Sequence, residues 1–225
     1  MNNRSIFYSV FLAYAMLAPC DAAQEPAIKQ AAARDAKGMA PLSQKVRIPG
    51  TDYVVYADAR PSALKGTQPA PELLRAIVTW LASEFQLPRL TIHPTIRFES
   101  SARITIFRHT GFLSDDPRST APVPKGQREV VAAYDPLNQT ILLPERWTGG
   151  TPAELSILVH EMVHHMQNVA RTRYACPQAS EELAYAAQER WLHLFGRNLA
   201  ADFEIDGFTL LASTTCMLTR ISNAP

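Results

Sequence analysis

Residues 151 to 166 constrain this chain more than any other stretch, because several independent signals specify a helix there. Thr151 stands as N-cap, Pro152 takes the first helical position, where a missing N–H costs nothing, and Glu154 completes a capping box. Leu155, Leu158, Val159, Met162 and Met166 then fall on one stripe at helical spacing, which must be buried against a core.

The same helix carries His160, Glu161, Met162, Val163 and His164, the pattern H-E-x-x-H. Residues four apart share a helix face, so two imidazoles can converge on one tetrahedral ion while Glu161 projects beside them. Zinc held in this way lowers the pKa of a bound water to about 7, and a glutamate can take the proton as that water attacks a carbonyl. The motif fixes only three positions and arises by chance. Its weight here comes from the capping box, which predicts the required helix independently.

A catalytic zinc takes three protein ligands and leaves a fourth position open. The next predicted helix runs from about Pro177 or Ser180 to Phe195, with Gly196 as its C-terminal cap. Glu181, Ala184, Tyr185, Gln188, Leu192 and Phe195 form a mostly apolar stripe that faces the core, whereas Glu182, Ala186, Glu189 and His193 form a polar one that faces water. A carboxylate heading an apolar stripe is costly to bury unless paired or coordinated, which makes Glu181 the expected third ligand, with Glu182 as the alternative. His165 lies about 100° round the helix from His164 and is read as a surface or supporting residue rather than a ligand. His93 and His109 have no partner pattern, and Trp80, Trp147 and Trp191 are read as core anchors.

His160-Glu161-x-x-His164 followed by Glu181-x-x-Ala184-Tyr185 resembles the gluzincin clan of zinc metallopeptidases, whose downstream helix supplies a glutamate ligand, often as E-x-x-A-D. Tyr185 stands where that pattern has Asp, a residue that supports the ligands from behind. The run from His160 through Gln167 and Cys176-Pro177 to Glu189-Arg190-Trp191 is also similar to an uncharacterised group of small exported bacterial proteins. The resemblance covers about residues 150 to 196. It implies an α+β, zincin-like fold: a small twisted, mostly antiparallel sheet with a backing helix, then the H-E-x-x-H helix and a helix bearing the third ligand. It further implies a Tyr or His that stabilises an oxyanion, for which Tyr174, Tyr185 and His193 are candidates, and an edge strand that binds an extended peptide.

Upstream, strands are predicted at Tyr53 to Ala57, Thr95 to Glu99, Ile104 to Arg108, Val130 to Tyr134 and Thr140 to Leu143. Asp135-Pro136-Leu137-Asn138 joins the last two as a hairpin. Leu74, Ile77, Val78, Leu81 and Phe85 predict a helix over about residues 72 to 87, and residues 110 to 128 read as a long loop. A last apolar stretch, Phe203 to Met217, is expected to form a third helix.

At the N-terminus, Met-Asn-Asn-Arg precedes an apolar run from Ile6 to Ala18, too short for a membrane span and followed by small residues that suit cleavage near Ala22 or Ala23. Residues 1 to 23 are therefore read as a signal peptide, residues 24 to 48 as a flexible tail or linker, and residues 49 to 225 as one domain. Leu17-Ala18-Pro19-Cys20 loosely resembles a lipoprotein box, although Pro19 argues against lipidation of Cys20. Export, to the periplasm or beyond, leaves Cys176 and Cys216 as an even pair in an oxidising compartment, and a disulfide between them is expected. A net charge of +1 among 225 residues, without a basic run, argues against nucleic acid and anionic membrane as partners.

These readings converge on an exported zinc-dependent hydrolase of peptides or proteins. His160, His164 and Glu181 would be the metal ligands, and Glu161 the general base. The competing classes are a non-catalytic metal-binding or interaction module and a plain disulfide-bridged domain without metal.

Overall fold

The computed structural model describes residues 44–57, 66–113 and 131–216. The predicted signal peptide, Cys20 and most of the 110–128 loop lie outside them. Among the described residues no helix is long and apolar enough to cross a membrane.

The chain opens with two short antiparallel strands, β1 (Gln44–Arg47) and β2 (Val54–Ala57). Residues 44 to 48, expected from the sequence to belong to a flexible tail, are structured instead: β1 pairs along its length with β2, and Ile48 is buried in the main core. Helix α1 (Pro71–Glu84) follows, with Pro71 at its start and Leu74, Ile77, Val78 and Leu81 buried as their spacing requires.

Strand β3 (Thr95–Glu99) leads into a helix, α2 (Ser101–Thr110), where the sequence pattern suggested a strand at Ile104 to Arg108. Caps mark both of its ends. The Ser100 hydroxyl accepts from the Arg103 N–H, and Gly111, at φ 68°, closes the last turn in the left-handed conformation. Ile104 and Phe107, three apart, then meet Ala133 and Leu142 in a small second core.

Strands β4 (Ala133–Asp135) and β5 (Thr140–Pro144) form the expected hairpin, with Asp135 accepting from the Leu137 and Asn138 N–H groups in the turn. Strand β5 is buried throughout and lies centrally, antiparallel to β4 and parallel to β3. The three-stranded sheet is thus mixed rather than mostly antiparallel. Between β3 and β5 the chain passes through α2 and β4, and the β4–β5 hairpin turns it parallel to β3 again. The two sides of β5 separate the cores: Ile141 and Leu143 join the main one, and Leu142 the smaller one beneath α2.

The motif helix α3 (Pro152–Val169) packs on the main-core side of the sheet, and α4 (Pro177–His193) packs along α3. Trp191 and Trp80 meet edge to face at 5.6 Å between ring centroids, joining α4 to α1, and with Trp147 they are all buried, as expected. The C-terminal segment carries a short helix that the sequence did not announce, α5 (Leu199–Phe203), and then α6 (Gly207–Thr214), which lies within the helix expected over Phe203 to Met217. Glu204 in the left-handed region ends the first, and the Asp206 carboxylate caps the second at the Thr209 N–H, 2.7 Å away. Cys176 and Cys216 form the expected disulfide, tying the second residue past α6 to the N-cap of α4. The architecture is mixed α and β in small sheets flanked by helices, compatible with the α+β class.

Candidate metal centre

The start of α3 is fixed before its histidines come into play. The Thr151 hydroxyl accepts from the Glu154 N–H at 3.1 Å, while the Glu154 carboxylate reaches back to the Thr148 and Gly150 N–H groups at 3.0 and 3.1 Å. The Trp147 indole donates to the Glu154 carbonyl at 3.0 Å, so the segment leaving β5 is locked onto the first turn of the helix. Two turns later His160, Glu161 and His164 emerge where α3 faces α4.

The structure brings His160, His164 and Glu181 together. Glu181 Oε2 lies 3.2 Å from His160 Nε2 and 3.4 Å from His164 Nε2, and the two nitrogens are 3.3 Å apart. The three atoms form a nearly equilateral triangle. Ligands about 2.0 to 2.1 Å from a tetrahedral ion stand about 3.3 Å apart, so the triangle has the size of one face of such a coordination shell.

The protons of the imidazoles can be assigned from their other contacts. His164 Nδ1 meets Gln167 Oε1 at 3.1 Å, and that amide cannot be reversed, because its nitrogen donates to the Ser180 carbonyl. His160 Nδ1 meets Gln188 Oε1, also at 3.1 Å. The Gln188 nitrogen donates to Ser156 Oγ, whose own hydrogen goes to the Ala153 carbonyl at 2.7 Å, so this amide is fixed as well. Both Nδ1 atoms therefore carry hydrogen. In their neutral forms both Nε2 atoms present lone pairs to the carboxylate oxygen, and three acceptors with no donor among them require a cation.

Without an ion, protons take that role. Burial disfavours charge on His164, but its contact with Glu181 and the charges of Glu181 and Glu161 outweigh burial and raise its pKa. Burial also works against the Glu181 carboxylate. The hydrogen bonds from His160 and His164, with the charges of His164 and Arg108, overcome it and hold the carboxyl well below the usual carboxylate range. Glu161 is 4% exposed, and its Oε2 is buried with no hydrogen-bond partner in the protein. A carboxylate oxygen buried in this way is costly unless a water or substrate group completes it.

Other sequence expectations separate cleanly. Glu182 is exposed and outside the cluster. Among the possible oxyanion donors, Tyr174 is exposed, and His193 pairs with Glu189 on the outer side of α4 at 3.0 Å. Tyr185 alone reaches the site, its ring edge-on to His160 at 4.7 Å. Burial, then the charge of Glu181, raises its hydroxyl pKa, so it remains a protonated donor near neutral pH. His165 is neither a surface residue nor a support for a ligand. Fully buried, it donates from Nε2 to the Ile92 carbonyl and accepts at Nδ1 from the Tyr134 hydroxyl, and burial lowers its pKa.

Three contributors escaped the sequence reading: Gln167, Gln188 and Arg108. A glutamine in the buried stripe of α4 is itself a signal, because its amide must find partners there. Arg108 Nη2 donates to Glu181 Oε1 at 2.8 Å, and the position gave no sign of this while α2 was read as a strand. Beside the cluster opens a cleft of about 320 Å³, walled by Arg108, Pro177, Gln178 and Tyr185 and by Ala212 and Ser213 of α6. The disulfide thus holds one wall of the cleft to the helix that carries Glu181.

The fold and cluster define an α and β domain with a partly buried His, His, Glu group able to hold a metal ion. Residues 66–222, well over half of the chain and including every site residue named above, match the family described as a domain of unknown function, DUF6647, and the chain belongs to that family. No curated protein and no solved structure matches it.

Proposed function

We propose that this protein is an exported zinc-dependent hydrolase of peptide bonds, with a gluzincin-like site on a zincin-like domain. The observation that carries the reading is the triangle of acceptor atoms from His160, His164 and Glu181, whose two imidazoles are both fixed with hydrogen on the outer nitrogen. Two nitrogens and one carboxylate oxygen at tetrahedral spacing suit zinc better than calcium or magnesium, which favour all-oxygen shells. When bound, zinc would supply Lewis acidity toward a carbonyl oxygen and an acidified water.

The remaining steps belong to the chain itself. Glu161 Oε2 takes the proton of the attacking water and passes it to the amine nitrogen that leaves. The Tyr185 hydroxyl donates to the oxygen on which negative charge develops. The peptide lies in the cleft between α4, α6 and Arg108. Export is supported by the apolar N-terminal run and by the disulfide, which persists in an oxidising compartment.

Metal analysis and a peptide-library assay on the purified protein test this reading. It expects about one zinc per chain, lost in Glu181→Ala and kept in Glu182→Ala. In Glu161→Gln, zinc should stay while hydrolysis falls by about 10²- to 10⁴-fold. Failure to take up zinc after reconstitution, or full hydrolysis by Glu161→Gln, would refute it.

A further inference from the structure

We infer that Arg108 is a positioning residue for the metal: by occupying Glu181 Oε1 it restricts coordination to Oε2 and keeps the fourth position of the ion open. The inference rests on the reading that His160, His164 and Glu181 hold zinc.

A carboxylate can meet a divalent ion through one oxygen or through both, and the choice decides whether a three-ligand site is left with room for a reacting group. In this structure the two oxygens of Glu181 have divided roles. Oε2 faces both Nε2 atoms, at 3.2 and 3.4 Å, while Oε1 faces Arg108 Nη2 at 2.8 Å. A charge-assisted bond of that length is a strong one, and the Glu181 side chain that accepts it is only 14% exposed. Turning the carboxylate to present both oxygens to the ion would break this pair.

Arg108 is placed for the task by a different element from the ligands. It projects from the last turn of α2, a helix fixed by the Ser100 cap at one end and Gly111 at the other. Its side chain is 44% exposed at the wall of the cleft, so it can be exchanged without opening the core. A lysine there would still offer a positive point charge to Oε1, though without the planar fork of a guanidinium.

Cobalt(II) in place of zinc reports coordination number directly, because four-coordinate cobalt absorbs visible light several-fold more strongly than five-coordinate cobalt. Wild type, Arg108→Ala, Arg108→Gln and Arg108→Lys would be loaded with cobalt, and zinc affinity would be measured by competition with a chelator. The wild type should show the intense spectrum. Arg108→Ala and Arg108→Gln should keep one cobalt per chain with absorption reduced several-fold, and should lose about 10- to 100-fold in zinc affinity. Arg108→Lys should recover the intense spectrum. If neither Arg108→Ala nor Arg108→Gln differs from wild type in spectrum or affinity, this inference is overturned while the metal centre stands. If Arg108→Ala does not fold, Arg108→Gln decides by the same two readouts. A wild type that takes up no metal overturns the proposed function, and this inference with it.

Discussion

Replacing Gln188 by methionine tests the proton assignment on which the metal centre depends. The two side chains have nearly the same shape, and Gln188 is 5% exposed, so the exchange leaves packing almost unchanged while removing the acceptor 3.1 Å from His160 Nδ1. With zinc bound, Nε2 is a ligand and the hydrogen must sit on Nδ1, where it would be buried and unpaired, at a cost of about 1 to 3 kcal/mol. Without zinc the imidazole has an escape: it can carry its hydrogen on Nε2 and donate to Glu181 Oε2, 3.2 Å away. That shift leaves Nδ1 an unpaired acceptor, so part of the penalty stays with the metal-free state, and zinc affinity should drop by up to about 10-fold, or about 1.4 kcal/mol. Ser156 loses its donor in both states, which lowers stability without affecting the difference. Competition against a chromogenic zinc chelator measures the affinity, and denaturant unfolding of the metal-free variants checks the fold. Gln188→Glu restores an acceptor and should bind zinc at least as tightly as wild type. Unchanged affinity in a folded Gln188→Met would refute the tautomer argument.

Two further outcomes concern the frame around the site. Replacing Cys176 and Cys216 by alanine together removes a cross-link between residues 40 apart and should cost roughly 3 to 4 kcal/mol in unfolding free energy on the chain-entropy estimate. Reductant should bring wild type to the same midpoint in a denaturant titration, and a reduced wild type as stable as the oxidised form would contradict this. At Gly149, φ is +68° and an added Cβ would lie 2.6 Å from the Trp147 ring, so Gly149→Ala should lower stability by about 2 kcal/mol or more, read as a fall in thermal midpoint.

The elements that the sequence disclosed are those whose signals are local and mutually consistent. Helix α3 carries cap, proline and stripe together, α1 carries proline and stripe, and the 135–138 turn specifies its own hairpin. The α2 segment reads as a strand because Ile104, Thr105, Ile106 and Phe107 favour one by composition, and only the flanking Ser100 and Gly111 speak for a helix. Competing local preferences were settled by packing, since a helix lets Ile104 and Phe107 reach Leu142 on one side of the sheet. The direction of β3 relative to β5 was not legible at all, because strand pairing depends on the whole path of the chain between them.

The site divides along the same line. The spacing of His160 and His164 lies within one helix, and Glu181 could be chosen over Glu182 because burial follows the face of the next helix. What holds these ligands in place comes from pairings between elements: Gln188 to Ser156 across α4 and α3, Gln167 to Ser180, and Arg108 to Glu181 from α2. Such contacts carry no periodic mark in the sequence. Yet they fix which nitrogen bears hydrogen and which carboxylate oxygen is free, and a zinc site without them would leave the imidazoles and carboxylate unoriented. The H-E-x-x-H pattern names donors. The buried amides and the arginine, placed by tertiary packing, turn those donors toward a single point.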